Sequence, residues 1–276
     1  MSHLSVMRLS LYLLALLQGL FDVLPVGGAS HQLLLPRLLH WPEPTPATEF
    51  AIHTGILLAL ATWVWRDLFN LGVGAWHIAR GRRSPRARQL LVMLLALLPF
   101  ILAGVALAIY GRDWLKVTPT TLGAALLGFG LLLWLGDRLG MTVRRIEHMT
   151  AGNALIIGVL LAVALVPGAG RTAMVVIACR WLGYERPAAA RLSFILSVPL
   201  LIIELLVQSA ALWRSPESLW AREPALAGVG ALLGALLGIG LLTAWVERRS
   251  FAPFALYRIL AGAGVLALIY LFHGLA

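Results

Sequence analysis

Long apolar runs separated by short polar segments make up most of the chain. Six of these runs approach the length of about 20 residues that a helix needs to cross the hydrocarbon core of a bilayer. They occupy residues 50–65, 90–110, 121–135, 192–212, 225–246 and 254–272. The third run is short and needs flanking residues to span. The pattern therefore predicts an all-α polytopic membrane protein with six spanning helices.

Two further apolar regions, residues 8–40 and 153–183, are interrupted in the middle by the segments LPVGGASH and VPGAGRTA. Proline removes a backbone donor and glycine weakens a helix, so each region is predicted to form two half-helices joined by a loop. Irregular backbone at membrane depth is tolerated only where protein or a water-filled cavity surrounds it. Two broken hairpins in one chain therefore indicate a functional site.

Composition supports lipid as the main solvent. Hydrophobic residues make up 60% of the 276 residues and charged residues only 12%, whereas soluble domains carry about a quarter. The net charge of +10 would also suit a nucleic-acid-binding protein. However, nearly all the basic residues lie in short loops between apolar runs, where they set membrane orientation. We therefore expect a bilayer, and no nucleic acid, as the partner.

Alternate loops differ in their positive charge. The strongly basic segments contain Arg66, Arg80, Arg82, Arg83, Arg86 and Arg88, then Arg138, Arg144 and Arg145, then Arg186 and Arg191, and finally Arg248 and Arg249. The weaker loops contain Arg112 and Lys116, then Arg214 and Arg222. The positive-inside rule places the first group in the cytoplasm and the second in the periplasm. We expect a multi-pass protein of the bacterial inner membrane whose site opens to the periplasm.

The two halves of the chain repeat weakly. Pro167 follows Pro25 by 142 positions, and the same offset pairs Gly28 with Gly170. Each half is predicted to form one broken hairpin followed by three spans, so the second half is inverted relative to the first. Inverted repeats with broken helices place their binding site near the midplane of the membrane. The predicted units are residues 8–136 and 153–272 of a single membrane domain, 1–276.

The first broken region contains three candidate site residues. Gln18 and Asp22 lie four positions apart, on one face of the first half-helix. Ionisable groups within a membrane are costly and usually functional, so we expect Asp22, supported by Gln18, to present a divalent cation to a pyrophosphate. The alternative is that both lie near a helix end and face water. His31 begins the second half-helix and is either structural or an acid or base.

Arg171 lies in PGAGRT, a glycine-rich turn that opens a helix between apolar segments. Amides at a helix N-terminus attract anions, and a guanidinium binds phosphate oxygens in bidentate fashion. We expect Arg171 to bind phosphate together with Gly168, Gly170 and Thr172. A snorkelling arginine is the alternative, which the apolar flanks disfavour.

Four more residues have less specific patterns. Glu49 and His53 lie one turn apart at the start of the first span, where they either complete the acidic side of the site or mark an interface. Glu204 is either structural or a supporting group of the site. Hydroxyl residues such as Ser30 most often pack or bond locally in membrane helices.

Four segments, in order along almost the full length, resemble the undecaprenyl-pyrophosphate phosphatase family of bacitracin-resistance type. They are LLQGLFDVLPVGGASH, VPGAGRTA, RLSFILSVP and ERRSFAPFALYRILAGAG. The resemblance implies six spans and two re-entrant hairpins in an inverted repeat. It also implies hydrolysis of undecaprenyl pyrophosphate to the monophosphate, with Mg²⁺ or Ca²⁺ as the cofactor. That reaction recycles the lipid carrier of cell-wall synthesis, and overproduction of the family gives bacitracin resistance.

The family's residue roles transfer to matching positions of this chain. Catalysis is implied for His31, Arg171 and Asp22, and metal binding for Asp22 and Gln18. We further expect the substrate to be bound by Gln18, Gly28, Gly168, Gly170, Thr172 and Glu49.

The chain departs from the family where serines are usual. Gly27, Gly28 and Ala29 replace the first-motif serines, and Gly170 and Thr172 replace those of the second. The nucleophile is therefore open between Ser30 and a water activated by His31. An alternative function is a non-catalytic homologue that binds or translocates a polyprenyl phosphate. The oligomeric state is also open, a homodimer included.

Overall fold

The protein is built from α-helices. The computed structural model describes residues 3–111, 117–140, 143–212 and 222–272. Arg112, Lys116 and Arg214, which contribute to the charge argument, lie outside the described residues. The described α-helices are α1 His3–Val23, α2 Gly28–Leu39, α3 Pro46–Trp63, α4 Trp65–Ala79, α5 Pro85–Tyr110, α6 Pro119–Leu139, α7 Ala151–Val163, α8 Arg171–Trp181, α9 Arg186–Leu212, α10 Arg222–Val246 and α11 Ala252–Phe272.

The prediction of an all-α polytopic membrane protein is confirmed. Five predicted spans, α5, α6, α9, α10 and α11, are single helices long and apolar enough to cross a membrane. The sixth, α3, is followed by α4 after a bend of 81°. Several helices begin earlier than predicted: α9 starts at Arg186 rather than at residue 192. Arginine is a good helix former, so the polar first turns of these helices escape a search for apolar runs.

Helix α4 occupies a segment that the sequence analysis treated as a loop, and that interpretation is wrong. Leu68 and Leu71 pack against the core, whereas Phe69 and Trp76 on the same helix are exposed. Helix α4 therefore packs one side against the core and exposes apolar side chains on another side. The arginines that flank α4 made the segment look like a cytoplasmic loop.

Both predicted helix breaks are confirmed. Helix α1 ends at Val23 and α2 begins at Gly28, while α7 ends at Val163 and α8 begins at Arg171. The residues that precede α2 and α8 are Gly27, with φ of 82°, and Gly170, with φ of 81°. Backbone with positive φ favours glycine because it lacks a Cβ. Glycine therefore lets the chain re-enter a helix immediately after each break.

The helix contacts show an exchange between the two halves. Helix α1 packs along α10, and α7 packs along α5, while α3 contacts α9 and α6 contacts α11. In the predicted repeat α1 corresponds to α7, α3 to α9, α5 to α10 and α6 to α11. Exchanging each helix for its counterpart turns the α1–α10 contact into the α7–α5 contact and leaves the α3–α9 and α6–α11 contacts unchanged. A Cβ on Gly234 would lie 2.1 Å from the Leu16 carbonyl oxygen, so α1 and α10 pack backbone to backbone, as small residues permit. The inverted orientation, with units 8–136 and 153–272, stays a prediction.

A buried ionic cluster fixes the end of α8 that lies away from its break. The Asp137 carboxylate of α6 accepts from Arg180 Nε at 2.9 Å, from Arg186 Nε at 2.8 Å and from the Phe251 amide at 2.9 Å. Arg180 also donates to the carbonyl of Tyr184. A buried charge is tolerated where it is paired and hydrogen-bonded. The cluster ties α6, α8, α9 and the start of α11 together, and so fixes the position of α8.

Candidate active site

The two broken hairpins meet in an ion pair between Arg171 and Asp22. Arg171 is the first residue of α8, and Asp22 lies in the last turn of α1. Arg171 Nη2 donates to Asp22 Oδ2 at 2.9 Å, and both side chains are largely buried. The two residues that the sequence analysis placed around one headgroup therefore lie in direct contact.

Glu204 of α9 completes the environment of the guanidinium. Arg171 Nη1 donates to Glu204 Oε2 at 2.7 Å, so the two terminal nitrogens of Arg171 each bond a different carboxylate. This geometry fixes the plane of the guanidinium at the helix N-terminus. The sequence analysis left Glu204 open between a structural and a supporting role, and the structure makes it a direct partner of Arg171.

The polar network continues from Glu204 to α3. His53 Nε2 lies 3.5 Å from Glu204 Oε1, and the Gln208 side-chain amide lies 3.0 Å from His53 Nδ1. Both contacts are satisfied by the tautomer with its proton on Nε2. One turn earlier on α3, Glu49 Oε1 accepts from Gln32 Nε2 at 3.4 Å. Both predicted α3 residues therefore lie beside the site. His53 contacts Glu204, and Glu49 contacts Gln32 of the second half-helix, α2.

His31 is held by two hydrogen bonds. Its Nδ1 lies 3.0 Å from the Gly27 carbonyl oxygen, and its Nε2 lies 2.7 Å from the Tyr257 hydroxyl. A carbonyl only accepts, so Nδ1 carries the proton and Nε2 accepts from Tyr257. The ring of Phe21 packs 4.6 Å from the imidazole, centroid to centroid. Sequence reasoning missed Tyr257, although it lies within the C-terminal segment that resembles the family.

The remaining predicted residues line the two breaks. The Ser30 side chain is fully buried, and a Cβ on Gly168 would lie 2.7 Å from its Oγ. Thr172 Oγ1 donates to the Asp22 carbonyl at 3.2 Å. A Cβ on Gly28 would lie 2.9 Å from the backbone of Asp22. These residues bring the loops and half-helices into close contact around the Arg171–Asp22 pair.

The side-chain oxygens of Asp22 and Gln18 suit a cation whose remaining ligands come from water and the substrate. Among the described residues there is no cluster of three or more His, Cys, Asp or Glu side chains able to enclose a metal ion. Gln18, one turn before Asp22, is buried and its Oε1 has no hydrogen-bond partner among the described residues. Mg²⁺ usually keeps water and substrate phosphates as ligands and takes only one or two carboxylates from the protein. Asp22 with Gln18 fits that pattern, whereas a closed protein cage does not.

Comparison with known proteins identifies the family. The model of the family described as bacitracin resistance protein BacA matches residues 11–264. Undecaprenyl-diphosphatase 1 of Rhodospirillum rubrum is 39% identical over 274 residues, which cover 97% of both chains. Undecaprenyl-diphosphatase 1 of Paramagnetospirillum magneticum is 38% identical over 262 residues, or 95% of this chain and 97% of the relative. With these matches over nearly its whole length, the chain belongs to the bacitracin resistance protein BacA family.

Proposed function

We propose that this protein is an undecaprenyl-diphosphatase that recycles the lipid carrier of cell-wall synthesis. It adds water to undecaprenyl pyrophosphate, breaks the phosphoanhydride bond, and yields undecaprenyl phosphate and inorganic phosphate. The observation that carries the proposal is the Arg171 guanidinium, held by Asp22 and Glu204 at a helix N-terminus where both broken hairpins meet. The names of the relatives support the same reaction.

Arg171 can bind and stabilise the reacting diphosphate. A guanidinium oriented in advance stabilises charge that develops on phosphate oxygens, and it does so more strongly away from bulk water. Asp22 and Glu204 keep it oriented, but the three groups together carry one more negative than positive charge. A diphosphate needs additional positive charge to approach them. We propose Asp22 and Gln18 as the ligands of a Mg²⁺ or Ca²⁺ ion, which would supply that charge when bound.

Water is the nucleophile that the placement of side chains favours. The Ser30 side chain is fully buried against Gly168, so its hydroxyl is not accessible for attack on a bound diphosphate. His31 is set as an acceptor at Nε2 by its Nδ1–H bond to Gly27. The Tyr257 hydroxyl donates to that nitrogen, so a proton from the attacking water reaches His31 through the tyrosine oxygen. His31 therefore acts as the general base and Tyr257 as its relay.

Orientation completes the proposal. The segment before α3 and the site residues Glu49 and His53 fall on the weakly charged, periplasmic side, and the arginines around α4 fall on the cytoplasmic side. The protein is then an inner-membrane enzyme that dephosphorylates its lipid at the periplasmic face. The isoprenoid tail would lie along the apolar helices. A homodimer stays a prediction.

The decisive experiment measures phosphate release by the purified protein from undecaprenyl pyrophosphate in the presence of Mg²⁺. We expect turnover in the parent, with one phosphate released per lipid and undecaprenyl phosphate as the other product. Specific binding of the lipid without phosphate release would contradict the proposal and support the non-catalytic, lipid-translocating alternative.

A further inference from the structure

Arg258 of α11 is a fully buried arginine that donates hydrogen bonds to backbone carbonyls. Its side chain has no exposed surface. Nη2 donates to the Gly168 carbonyl at 2.8 Å, and Nη1 donates to the Ala169 carbonyl at 3.0 Å and lies 3.5 Å from that of Pro25. Nε has no hydrogen-bond partner among the described residues. A buried guanidinium bonded only to neutral groups is costly in a membrane protein, so its retention requires a reason.

The three carbonyls that Arg258 contacts come from both breaks, one from the first and two from the second. Pro25 lies in the break between α1 and α2, whereas Gly168 and Ala169 lie in the break between α7 and α8. The two loops also touch directly, since a Cβ on Gly27 would lie 3.0 Å from the Gly168 carbonyl oxygen. A single side chain, Arg258, thus joins the two loops, while the Arg171–Asp22 ion pair joins the half-helices that flank them.

The bond to Ala169 also orients a donor. In a planar trans peptide the carbonyl and the following N–H point in opposite directions. Because the Ala169 carbonyl points at Arg258, the Gly170 N–H points away from it. Gly170 is the residue that precedes α8, where amide groups favour anions. Arg258 therefore holds the turn that presents the N-terminus of α8.

We propose that Arg258 is a positioning residue for the diphosphate site, an inference that rests on the proposed function. It holds the two loops together so that Arg171 and Asp22 face one headgroup, and it keeps the amide N–H of Gly170 turned away from Arg258. Its positive charge lies directly behind the loops, where it offsets the excess of carboxylate over guanidinium around Arg171. The loss of Arg258 should therefore weaken binding of the diphosphate group rather than only the stability of the fold.

The test measures binding of inorganic pyrophosphate with Mg²⁺ by calorimetry, using folded, monodisperse protein in detergent. In Arg258→Met, which keeps much of the side-chain volume but loses the charge and the donors, we expect a Kd raised about 10- to 100-fold, as for other residues that orient binding groups. In Arg258→Lys, which keeps the charge but cannot reach both loops through a planar fork, we expect an intermediate rise. Arg191→Met is the control, because Arg191 donates two hydrogen bonds to Asp67 of α4, a partner that lies outside both breaks. It should lower the melting temperature and leave the Kd near that of the parent.

The outcomes separate the inference from the proposed function. Parent-like pyrophosphate binding by folded Arg258→Met would overturn the positioning role. If that variant does not fold, Arg258→Lys decides: parent-like binding overturns the proposal, and weakened binding supports it. Failure of both variants to fold would make Arg258 a folding residue and would also overturn it. If the parent binds pyrophosphate but releases no phosphate from the lipid, the proposed hydrolysis fails while this test of Arg258 stands.

Discussion

The Arg171 guanidinium and the Asp22 carboxylate lie 2.9 Å apart although 149 positions separate them in the sequence. One begins the half-helix that follows the second break, and the other ends the half-helix that precedes the first. The ion pair therefore marks the place where the two broken hairpins converge. A diphosphate that binds Arg171 has to enter beside this pair, so the protein's chemistry depends on what holds the guanidinium in place.

Replacing Arg171 by glutamine should nearly abolish hydrolysis. The substitution removes the charge and the paired donors, and loss of such transition-state stabilisation typically lowers kcat by about 100- to 1,000-fold. Phosphate release from undecaprenyl pyrophosphate measures the effect. Arg191→Gln is the control, since Arg191 also donates two hydrogen bonds to carboxylate oxygens, both of them on Asp67 of α4. Equal losses in the two variants would show that a general loss of folding, not the site, is responsible.

Glu204→Gln should reduce activity through Arg171. The amide keeps the size of the side chain and an oxygen that can accept from Arg171 but loses the negative charge, so Arg171 is held less firmly on that side. We expect kcat/KM to fall about tenfold, within the usual range for groups that orient a functional residue. Glu185→Gln is the control, because Glu185 pairs with the exposed Arg145 at 3.5 Å, and such surface pairs contribute about 1 kcal/mol or less. An unchanged kcat/KM in Glu204→Gln would remove Glu204 from the site.

The sequence predicted the spans and both breaks because they depend on local composition. Apolar length alone identifies a spanning helix, and proline with glycine identifies the interruptions at 24–27 and 164–170. Helix α4 was missed because polar residues interrupt its apolar ones and arginines lie near both of its ends, so it contains no long apolar run. A search by the period of the helix rather than by run length could have found it.

The site was predictable only as far as its residues lie in the two breaks. Asp22, His31 and Arg171 are adjacent to proline- and glycine-rich turns, which drew attention to them. Tyr257 and Arg258 reach the site from the first half of the apolar helix α11. Arg258 is a charged residue inside a predicted span, so the rule that singled out Asp22 could have singled it out as well, whereas nothing local distinguishes Tyr257. Their contacts with His31, Pro25 and Gly168 are tertiary, and no pattern of spacing encodes them.

Tyr257→Phe should lower kcat while leaving KM close to the parent value. The substitution keeps the ring that packs beside His31 but removes the hydroxyl that donates to Nε2 at 2.7 Å. If the proton travels through this oxygen, kcat falls by about 100-fold or more, as for other acid–base groups.

Tyr184→Phe is the control for that measurement. Tyr184 is fully buried, and its hydroxyl accepts from Asn153 Nδ2 at 3.0 Å rather than bonding His31. Loss of this hydroxyl should cost about 1 kcal/mol of stability without changing kcat. Parent-like turnover by Tyr257→Phe would exclude the relay.

Cysteine labelling should establish the orientation. The natural cysteine, Cys179, is fully buried, so single exposed cysteines introduced by Glu43→Cys and Arg82→Cys can be labelled over a low background. In intact spheroplasts a membrane-impermeant thiol reagent should label the first variant only, because residue 43 precedes α3 on the predicted periplasmic side. After lysis both should react. The reverse pattern would place the site in the cytoplasm and contradict periplasmic hydrolysis.

Asp22→Asn should raise the Mg²⁺ concentration needed for half-maximal activity. A neutral amide keeps an oxygen that accepts from Arg171 but attracts a divalent cation far less than a carboxylate does, and we expect a rise of about tenfold or more. The measurement is phosphate release at increasing Mg²⁺ after treatment with a chelator.

Two further variants sharpen this test. Asp22→Glu keeps the carboxylate and lengthens the side chain by one methylene, and it should retain an Mg²⁺ requirement close to that of the parent. Asp67→Asn removes a carboxylate of α4 that bonds Arg191 of α9 and should leave that requirement unchanged. If Asp22→Asn loses activity but keeps the parent's dependence on Mg²⁺, Asp22 orients Arg171 without holding the cation, and the metal ligands must be sought elsewhere, beginning with Glu204 and Glu49.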